Sequence, residues 1–128
     1  MTTITTNPSV ETLSLVAHNQ IPVVTTELLA QLYGTDSVRI QQNYTRNTGR
    51  FVEGKHFFKV TGEELKKFVT SLKIVANSPI EVSSKTRTLI LWTERGAARH
   101  AKMLDTDQAW EVFEKLEDCY FTKKHKNN

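Results

Sequence analysis

Cysteine is nearly absent from this chain, and so is the chemistry that depends on it. Cys119 is the single cysteine among 128 residues, so no intramolecular disulfide can form, and no cysteine pair is present for a zinc knuckle or a redox motif. This scarcity fits a reducing compartment. The histidines stand far apart along the sequence, at His18, His56, His100 and His125.

The sequence also contains few of the residue patterns that form a catalytic centre. Cys119 has no evident His or Asn partner, there is no glycine-rich phosphate loop, and no serine occupies a nucleophile elbow. The carboxylates Glu111 and Glu114 have the i, i+3 spacing of two metal ligands, but no histidine joins them at ligand spacing. We therefore predict a protein that is not an enzyme and that uses no metal or other cofactor.

Long apolar runs and a targeting segment are missing as well. No run approaches the ~18 residues that would indicate a membrane span, and the N-terminus lacks the basic and apolar regions of a signal peptide. Apolar residues make up 38% of the chain and charged residues 24%, which is ordinary for a soluble globular protein. We expect one cytoplasmic domain with a modest core.

What the chain does have is a strong segregation of charge. Its net charge is only +3, but the segments 39–59 and 85–102 each carry five cationic side chains against one carboxylate. The segment 105–118 reverses this balance, with six carboxylates against one lysine. Such a division favours one face for a polyanion and another face turned away from it. The alternative is that these are ordinary solvated helix faces.

Two short helices are predicted in the first half of the chain. Thr25 or Thr26 can cap a helix over residues 27–33, whose leucines form an apolar face, and Gly34 supplies the left-handed residue that ends it. A second helix is predicted over residues 36–47. Two helices joined by a short turn that contains glycine form a helix-turn-helix unit, whose second helix commonly enters a DNA major groove.

The second predicted helix has an apolar inner side and a polar outer side almost free of carboxylate. Ile40 and Tyr44 lie one turn apart and are expected to pack inward. Glutamine and asparagine can make bidentate contacts to adenine, and arginine can contact guanine or phosphate. Asn43 lies close to the inner side and could equally hold the turn together. The candidates for DNA contact on this helix are Arg39, Gln41, Gln42, Asn43, Thr45 and Arg46.

A basic strand is predicted after this helix. Residues 47–50 form a turn, Phe51 returns to the core beneath Tyr44, and a second turn at residues 53–55 leads into a strand over residues 56–60. One of the two adjacent phenylalanines in the strand should face inward. They could instead stack on exposed bases, although core packing is commoner. The candidates for phosphate contact, all expected near the surface, are Arg50, Lys55, His56 and Lys59.

Two more helices and a strand follow. Residues 61–64 match a capping box that opens a structural helix, and residues 75–87 lose periodicity and are predicted to be a loop. Residues 88–92 form a strand that should pair with the basic strand, and Thr93 caps a helix over residues 94–104. Cations repeat along one side of that helix, where they could clamp phosphates or be balanced by the acidic helix that follows: Arg95, Arg99 and Lys102.

The last predicted helix is acidic on one side. Asp105 or Thr106 caps it, and its apolar stripe is expected to consist of Trp110, Phe113, Leu116 and Tyr120. Residues 1–11 and 122–128 are predicted to be flexible tails, the second of them basic. The domain is therefore expected to span residues 12–121.

Two segments of the chain resemble the ORF6N domain of phage antirepressor and regulator proteins. The segments are IPVVTTELLAQLYGTDSVRIQQNYTRNTGRFVEGKHFFKVTGEELKKF and LILWTERGAARHAKMLDTDQAWEVFEKLEDCYF, in the family's order, and the similarity covers about residues 12–121. The resemblance implies a DNA-binding domain related to the Bro-N and KilA-N modules. In the family it usually precedes a separate effector domain, which we do not expect within these 128 residues.

The sequence thus predicts a small α+β domain of helix-turn-helix or winged-helix type, with about five helices and short β-hairpins, one of them before the first helix. The expected function is sequence-specific binding of double-stranded DNA by a phage or prophage antirepressor-type transcriptional regulator in a bacterial cytoplasm. The alternative is a protein-binding module that antagonises a phage repressor through its acidic helix, residues 107–118. The charge of the second helix favours nucleic acid, and a homodimer would suit a two-fold operator.

Overall fold

The structure, a computed structural model, describes residues 10, 15–74, 82 and 85–121. These residues form an α+β domain, as predicted, with five α-helices and two small antiparallel sheets. The helices are α1 (Thr26–Tyr33), α2 (Ser37–Arg46), α3 (Gly62–Ile74), α4 (Glu94–Leu104) and α5 (Asp107–Lys115). The strands are β1 (Ala17–His18), β2 (Ile21–Pro22), β3 (Val24–Thr25), β4 (Phe57–Thr61) and β5 (Thr88–Trp92).

β1 and β2 form the small hairpin that was expected ahead of the first helix. His18 pairs with Ile21 across a two-residue turn. The turn residues Asn19 and Gln20 have φ angles of 53° and 68°. Positive φ at both central positions is the turn geometry whose twist suits a β-hairpin, and asparagine tolerates it better than most residues.

β5 is the centre of the larger sheet, whose strand order is β3-β5-β4 with both pairings antiparallel. Five residue pairs join β4 to β5, from Phe57 opposite Trp92 to Thr61 opposite Thr88, which confirms the predicted pairing. No tight turn joins these two strands, because α3 and residues 75–87 lie between them. β3 is only two residues long, too short to leave an alternating pattern in the sequence, and it is not among the predicted elements.

The larger sheet separates two apolar clusters, because successive residues of β5 point to opposite faces. On one face, α3 packs against the sheet through a cluster that contains Val60, Leu65, Phe68, Leu72 and Leu91. The cluster on the other face joins α1, α2, α4 and α5 and contains Leu29, Ile40, Ala97, Leu116 and Trp92. The second cluster is therefore the one that supports the helix-turn-helix unit.

The helix-turn-helix unit forms as predicted. The Thr25 hydroxyl caps α1 by accepting a hydrogen bond from the Leu28 amide at 3.1 Å. Gly34 ends α1 with a φ of 74°, and a Cβ at this position would also overlap the side chain of Gln108. Asp36 precedes α2 in an extended conformation. The two helices are thus separated by a short turn that depends on glycine at its first position.

α4 approaches the turn before β4 very closely. Thr93 caps α4 through the Gly96 amide, and its own amide donates to the His56 carbonyl at 3.0 Å. A Cβ on Gly96 would overlap that carbonyl oxygen, so glycine is required for the approach. The Tyr33 hydroxyl also donates to the Ala97 carbonyl at 2.8 Å. α4 is therefore fixed both to α1 and to the segment between α2 and β4.

The apolar stripe predicted for the last helix is wrong at one position. Thr106 caps α5 as expected, because its hydroxyl accepts from the Ala109 amide at 3.1 Å. Trp110 is 48% exposed, since the buried side of α5 runs through Ala109 and Leu116 instead. A π-helical turn over residues 116–120 then adds a residue to the helical spacing and keeps Tyr120 buried.

Parts of the predicted tails and of the loop lie outside the described residues. This holds for residues 122–128, for most of residues 75–87, and for residues 1–11 except Val10. Val10 is buried in the main core cluster, so the core includes a residue before position 12, the predicted start of the domain. Among the described residues, no helix is long and apolar enough to cross a membrane.

Candidate nucleic-acid interface

The outer side of α2 is polar and cationic, and the helix contains no carboxylate. Five of the predicted contact residues on α2 lie outside the core: Arg39, Gln41, Gln42, Thr45 and Arg46. Gln42 is half-buried, and the other four are exposed. Ile40, on the inner side, is fully buried. With ten residues, α2 is about 15 Å long, which exceeds the ~12 Å width of a major groove.

Asn43 lies on the supported side of α2. Its side chain is 9% exposed, and its Nδ2 atom lies 3.4 Å from Nδ1 of His100 on α4. Its carbonyl accepts a hydrogen bond from the Asn47 side chain at 2.9 Å. Because Asn43 is buried, it is not a candidate for reading bases. It instead connects α2 with α4 and with the turn after α2.

His100 is the buried residue through which α4 supports α2. Its ring stacks on Phe51 with centroids 5.0 Å apart and meets Trp92 edge-on at 4.3 Å. The side chain is fully buried, and this burial lowers the pKa of His100 to about 3. Nε2 has no hydrogen-bond partner among the described residues. The contact between the two helices thus depends on a histidine that is neutral at pH 7.

Aromatic rings support α2 from the core. Tyr44 meets Phe51 edge-on at 5.8 Å, as predicted, and it also meets Phe57 at 5.2 Å and Trp92 at 5.9 Å. Phe57 is 4% exposed, and Phe58 is half-buried in the cluster beneath α3. The adjacent phenylalanines are therefore core residues, and the alternative in which they stack on bases has no exposed ring to use.

His56 is buried, although its sequence position predicts a place near the surface. It is 2% exposed, and its Nε2 atom lies 2.8 Å from Nε of Arg99. The Val52 amide donates to Nδ1 at 3.0 Å. Burial, followed by the charges of Arg99, Lys55 and Arg95, lowers the pKa of His56. The prediction fails because α4, from a distant part of the sequence, covers this turn.

Exposed cations occur on β4, on α4 and in the segment between α2 and β4. None of them forms an ion pair with a carboxylate in the described part of the chain: Arg50, Lys55, Lys59, Arg95, Arg99 and Lys102. α5 packs directly on α4, yet its carboxylates do not pair with the three cations of α4.

A groove of about 510 Å³ lies beside α2, and no residue of α4 lines it. Ser37, Gln41 and Tyr44 line it from α2, and Trp92 lies at its other wall on β5. Gln41 is thus exposed but faces this groove. The helical spacing places Gln42 and Thr45 nearer the outermost line of α2.

The side chains that could ligate a metal do not cluster in the part of the chain that the structure describes. That part includes no group of three or more His, Cys, Asp or Glu side chains that could hold a metal ion. Glu111 and Glu114, the carboxylates with i, i+3 spacing, are both exposed on α5. The groove beside α2 has a single carboxylate, Glu27, in its lining.

Two residues that build the interface left faint signals in the sequence. Gly96 stands inside a predicted helix, where an isolated glycine indicates a close packing contact. His100 lies one turn after the small residue Ala97, on the same side of that helix. Neither is among the predicted site residues, because their partners come from the distant segment after α2.

A family model described as the ORF6N domain matches residues 13–103. No curated protein and no solved structure matches the chain. The matched segment includes both helices of the helix-turn-helix unit, the β4–β5 pair and all but the last residue of α4. The acidic helix α5 lies outside it.

Proposed function

The chain belongs to the ORF6N domain family, and on this premise we propose that it is the sequence-specific, double-stranded-DNA-binding domain of a phage or prophage antirepressor-type transcriptional regulator. Family membership points to a phage-type regulatory domain. The observation that supports the finer proposal is the outer side of α2, which is polar and cationic, without a carboxylate, on a helix held by buried contacts along its inner side.

In this proposal, α2 enters the major groove and reads bases. Gln41 and Gln42 contact adenine, and Arg39 and Arg46 contact guanine or phosphate. Val38, which is 57% exposed on the same side, is suited to the methyl group of thymine. Each good bidentate contact discriminates against the wrong base by about 1–3 kcal/mol. Burial of the other side of α2 keeps these groups in one arrangement, which specific readout requires.

The remaining cations contact the DNA backbone. Arg50 follows α2 directly, Lys55 precedes β4, and Lys59 lies on β4 itself. Arg95, Arg99 and Lys102 approach from α4, which lies beside α2. Contacts to phosphate fix register and affinity without reading sequence. These residues therefore supply salt-dependent affinity, whereas α2 supplies specificity.

The proposal involves no catalytic step and no cofactor. Its partner is double-stranded DNA in a bacterial cytoplasm. A homodimer would place two copies of α2 on the halves of a two-fold operator.

Selection from a mixed pool of duplex DNA fragments, at increasing salt concentrations, tests this function. The bound fraction should be enriched in one short sequence, and log K should fall steeply with log salt, by about 0.9 for each phosphate neutralised. Weak binding without enrichment that vanishes by physiological salt would refute sequence-specific recognition.

A second candidate function is favoured by the exposure of Trp110. The side chain lies on the acidic side of α5, with Asp107 and Glu114 on the same side of the helix and 48% of its surface exposed. Exposed tryptophans are frequent centres of protein interfaces. Such a surface would suit a protein-binding module that contacts a phage repressor. We rank this function second because α5 lies outside the matched family segment.

A direct binding assay with a purified phage repressor separates the two candidates. If α5 binds the repressor, Trp110→Ala should abolish that binding and leave DNA affinity unchanged. Unchanged repressor binding by Trp110→Ala would eliminate α5 as the contact surface.

A further inference from the structure

Each ring nitrogen of His56 is faced by an N–H donor of another residue. The Val52 amide points at Nδ1 from 3.0 Å, and the Nε of Arg99, which also bears a hydrogen, lies 2.8 Å from Nε2. A neutral imidazole has one N–H and one lone pair. It can therefore accept a hydrogen bond from one of these two donors and must turn its own N–H toward the other.

The backbone decides which nitrogen accepts. The Val52 carbonyl accepts hydrogen bonds from the amides of Lys55 and His56, at 3.1 and 2.9 Å, so Val52 is held in a backbone turn, and its amide can turn away only if the main chain moves. Nδ1 must then be the acceptor, and the His56 proton lies on Nε2. Nε2–H and the Arg99 N–H consequently point at the same space, where an acceptor belongs. Arg99 is exposed and has the side-chain length to make room for one.

We propose that a backbone phosphate oxygen of bound DNA lies between His56 and Arg99 and accepts hydrogen bonds from Nε2–H of His56 and from the guanidinium of Arg99. This inference rests on the proposed DNA-binding function and identifies one phosphate subsite within it. In the complex every donor at His56 has an acceptor: the Val52 amide bonds to Nδ1, and both of the other donors bond to the phosphate.

The charges around His56 favour an oxyanion over a neutral acceptor. The side chains of Lys55, Arg95 and Arg99 are close enough to lower the pKa of His56, and none of the three forms an ion pair with a described carboxylate. Glu94 shares an adjacent cleft of about 240 Å³ with Lys55 and Arg95. The subsite therefore carries three cationic side chains against one neighbouring carboxylate.

The subsite is also rigid at its base. The His56 carbonyl accepts from the Thr93 amide at 3.0 Å, and Gly96 brings α4 against the same carbonyl. The edge of the His56 ring faces Phe51, with centroids 6.0 Å apart. His56 is thus held between α4 and the segment that follows α2. A phosphate bound there would position the DNA backbone relative to both helices.

Affinity and salt dependence give different predictions for the two donors. His56→Phe keeps a ring but removes the N–H, so DNA affinity should fall about tenfold or more with an unchanged salt slope, because a neutral donor releases no counterion. His56→Gln, whose amide N–H reaches about as far as Nε2, should retain most of the affinity. Arg99→Ala should lower both the affinity and the slope, the slope by about 0.9. Equal affinities of His56→Phe and the wild type would overturn the subsite.

The wild-type protein provides a second measurement that does not depend on a variant's folding. Long-range ¹H–¹⁵N NMR of the histidine rings at pH 7.5 should show His56 as the Nε2–H tautomer, with its Nε2–H signal moving on addition of the enriched duplex. A Nδ1–H tautomer, or a His56 signal unmoved in wild-type protein that binds the duplex, overturns the subsite alone. A signal moved by inorganic phosphate but not by DNA overturns its assignment to the DNA backbone. Failure of the wild type to bind any duplex refutes the proposed function instead.

Discussion

Lowering the pH from 7 to 5 should destabilise the domain by about 2 kcal/mol through His100 alone. Burial lowers the pKa of this side chain to about 3 in the folded protein, whereas a histidine in an unfolded chain titrates near 6.5. At pH 5 the unfolded state has therefore taken up a proton that the folded state lacks. The contribution to stability is complete above about pH 6.5 and falls by about 1.4 kcal/mol per pH unit until the folded histidine titrates.

Urea unfolding followed by tryptophan fluorescence measures this effect, because the Trp92 ring lies 4.3 Å from the His100 ring. The matched variant is His100→Gln, which cannot titrate. Carboxylates and His56, whose pKa is also lowered, are present in both proteins and cancel in the comparison. The wild type should lose about 2 kcal/mol more than the variant between pH 7 and pH 5.

Equal losses in the two proteins would mean that His100 ionises in the folded state. The buried contact with Asn43 on α2 would then have been misassigned. If the difference appears, a pH below about 3 should also loosen α2 from α4, because His100 is then protonated in the folded protein. A protonated ring cannot remain in an apolar site without a partner.

Three further predictions follow from the packing and from the division of roles in DNA binding. Gly96→Ala should lower the free energy of unfolding by about 3 kcal/mol in thermal or urea unfolding, because the new methyl group overlaps a backbone carbonyl. Gly49→Ala is the control and should change this free energy little, because nothing lies within 4 Å of a Cβ at that position. Tyr33→Phe should cost about 1–2 kcal/mol in the same assay, since a carbonyl of α4 loses its buried donor, and an unchanged stability would contradict that hydrogen bond. Gln42→Ala should change base preference in competitive binding, whereas Arg99→Ala should weaken all sequences alike, and equal losses on every sequence for both would refute the division.

Local chemistry predicts most of the elements of this fold. A threonine cap, a left-handed glycine and an apolar stripe depend on residues within one or two helical turns, so the sequence around Thr25 and Gly34 predicts the helix-turn-helix unit correctly. The same holds for the cap at Thr93 and for β4 and β5 as separate strands, whereas their pairing joins distant segments. The outer side of α2 is also predictable, because it follows from helical spacing alone.

Contacts between distant segments decide the residues that were misplaced or missed. The pattern of the predicted strand places His56 near the surface, but α4, which lies far along the chain, covers this residue. Asn43 lies at the edge of the inner side of α2, and the presence of His100 decides its burial. Trp110 shows the opposite error, because the small Ala109 takes the buried position that a large apolar side chain was expected to fill. No local pattern carries this information.

Amide chemical-shift mapping with the duplex enriched by selection is the most direct test of whether α2 reads the DNA. The largest shifts should fall on the outer side of α2 and on the residues around Arg99, with little change in α5. Shifts confined to α5 around Trp110, or no shifts in α2, would contradict the proposal that α2 reads the DNA.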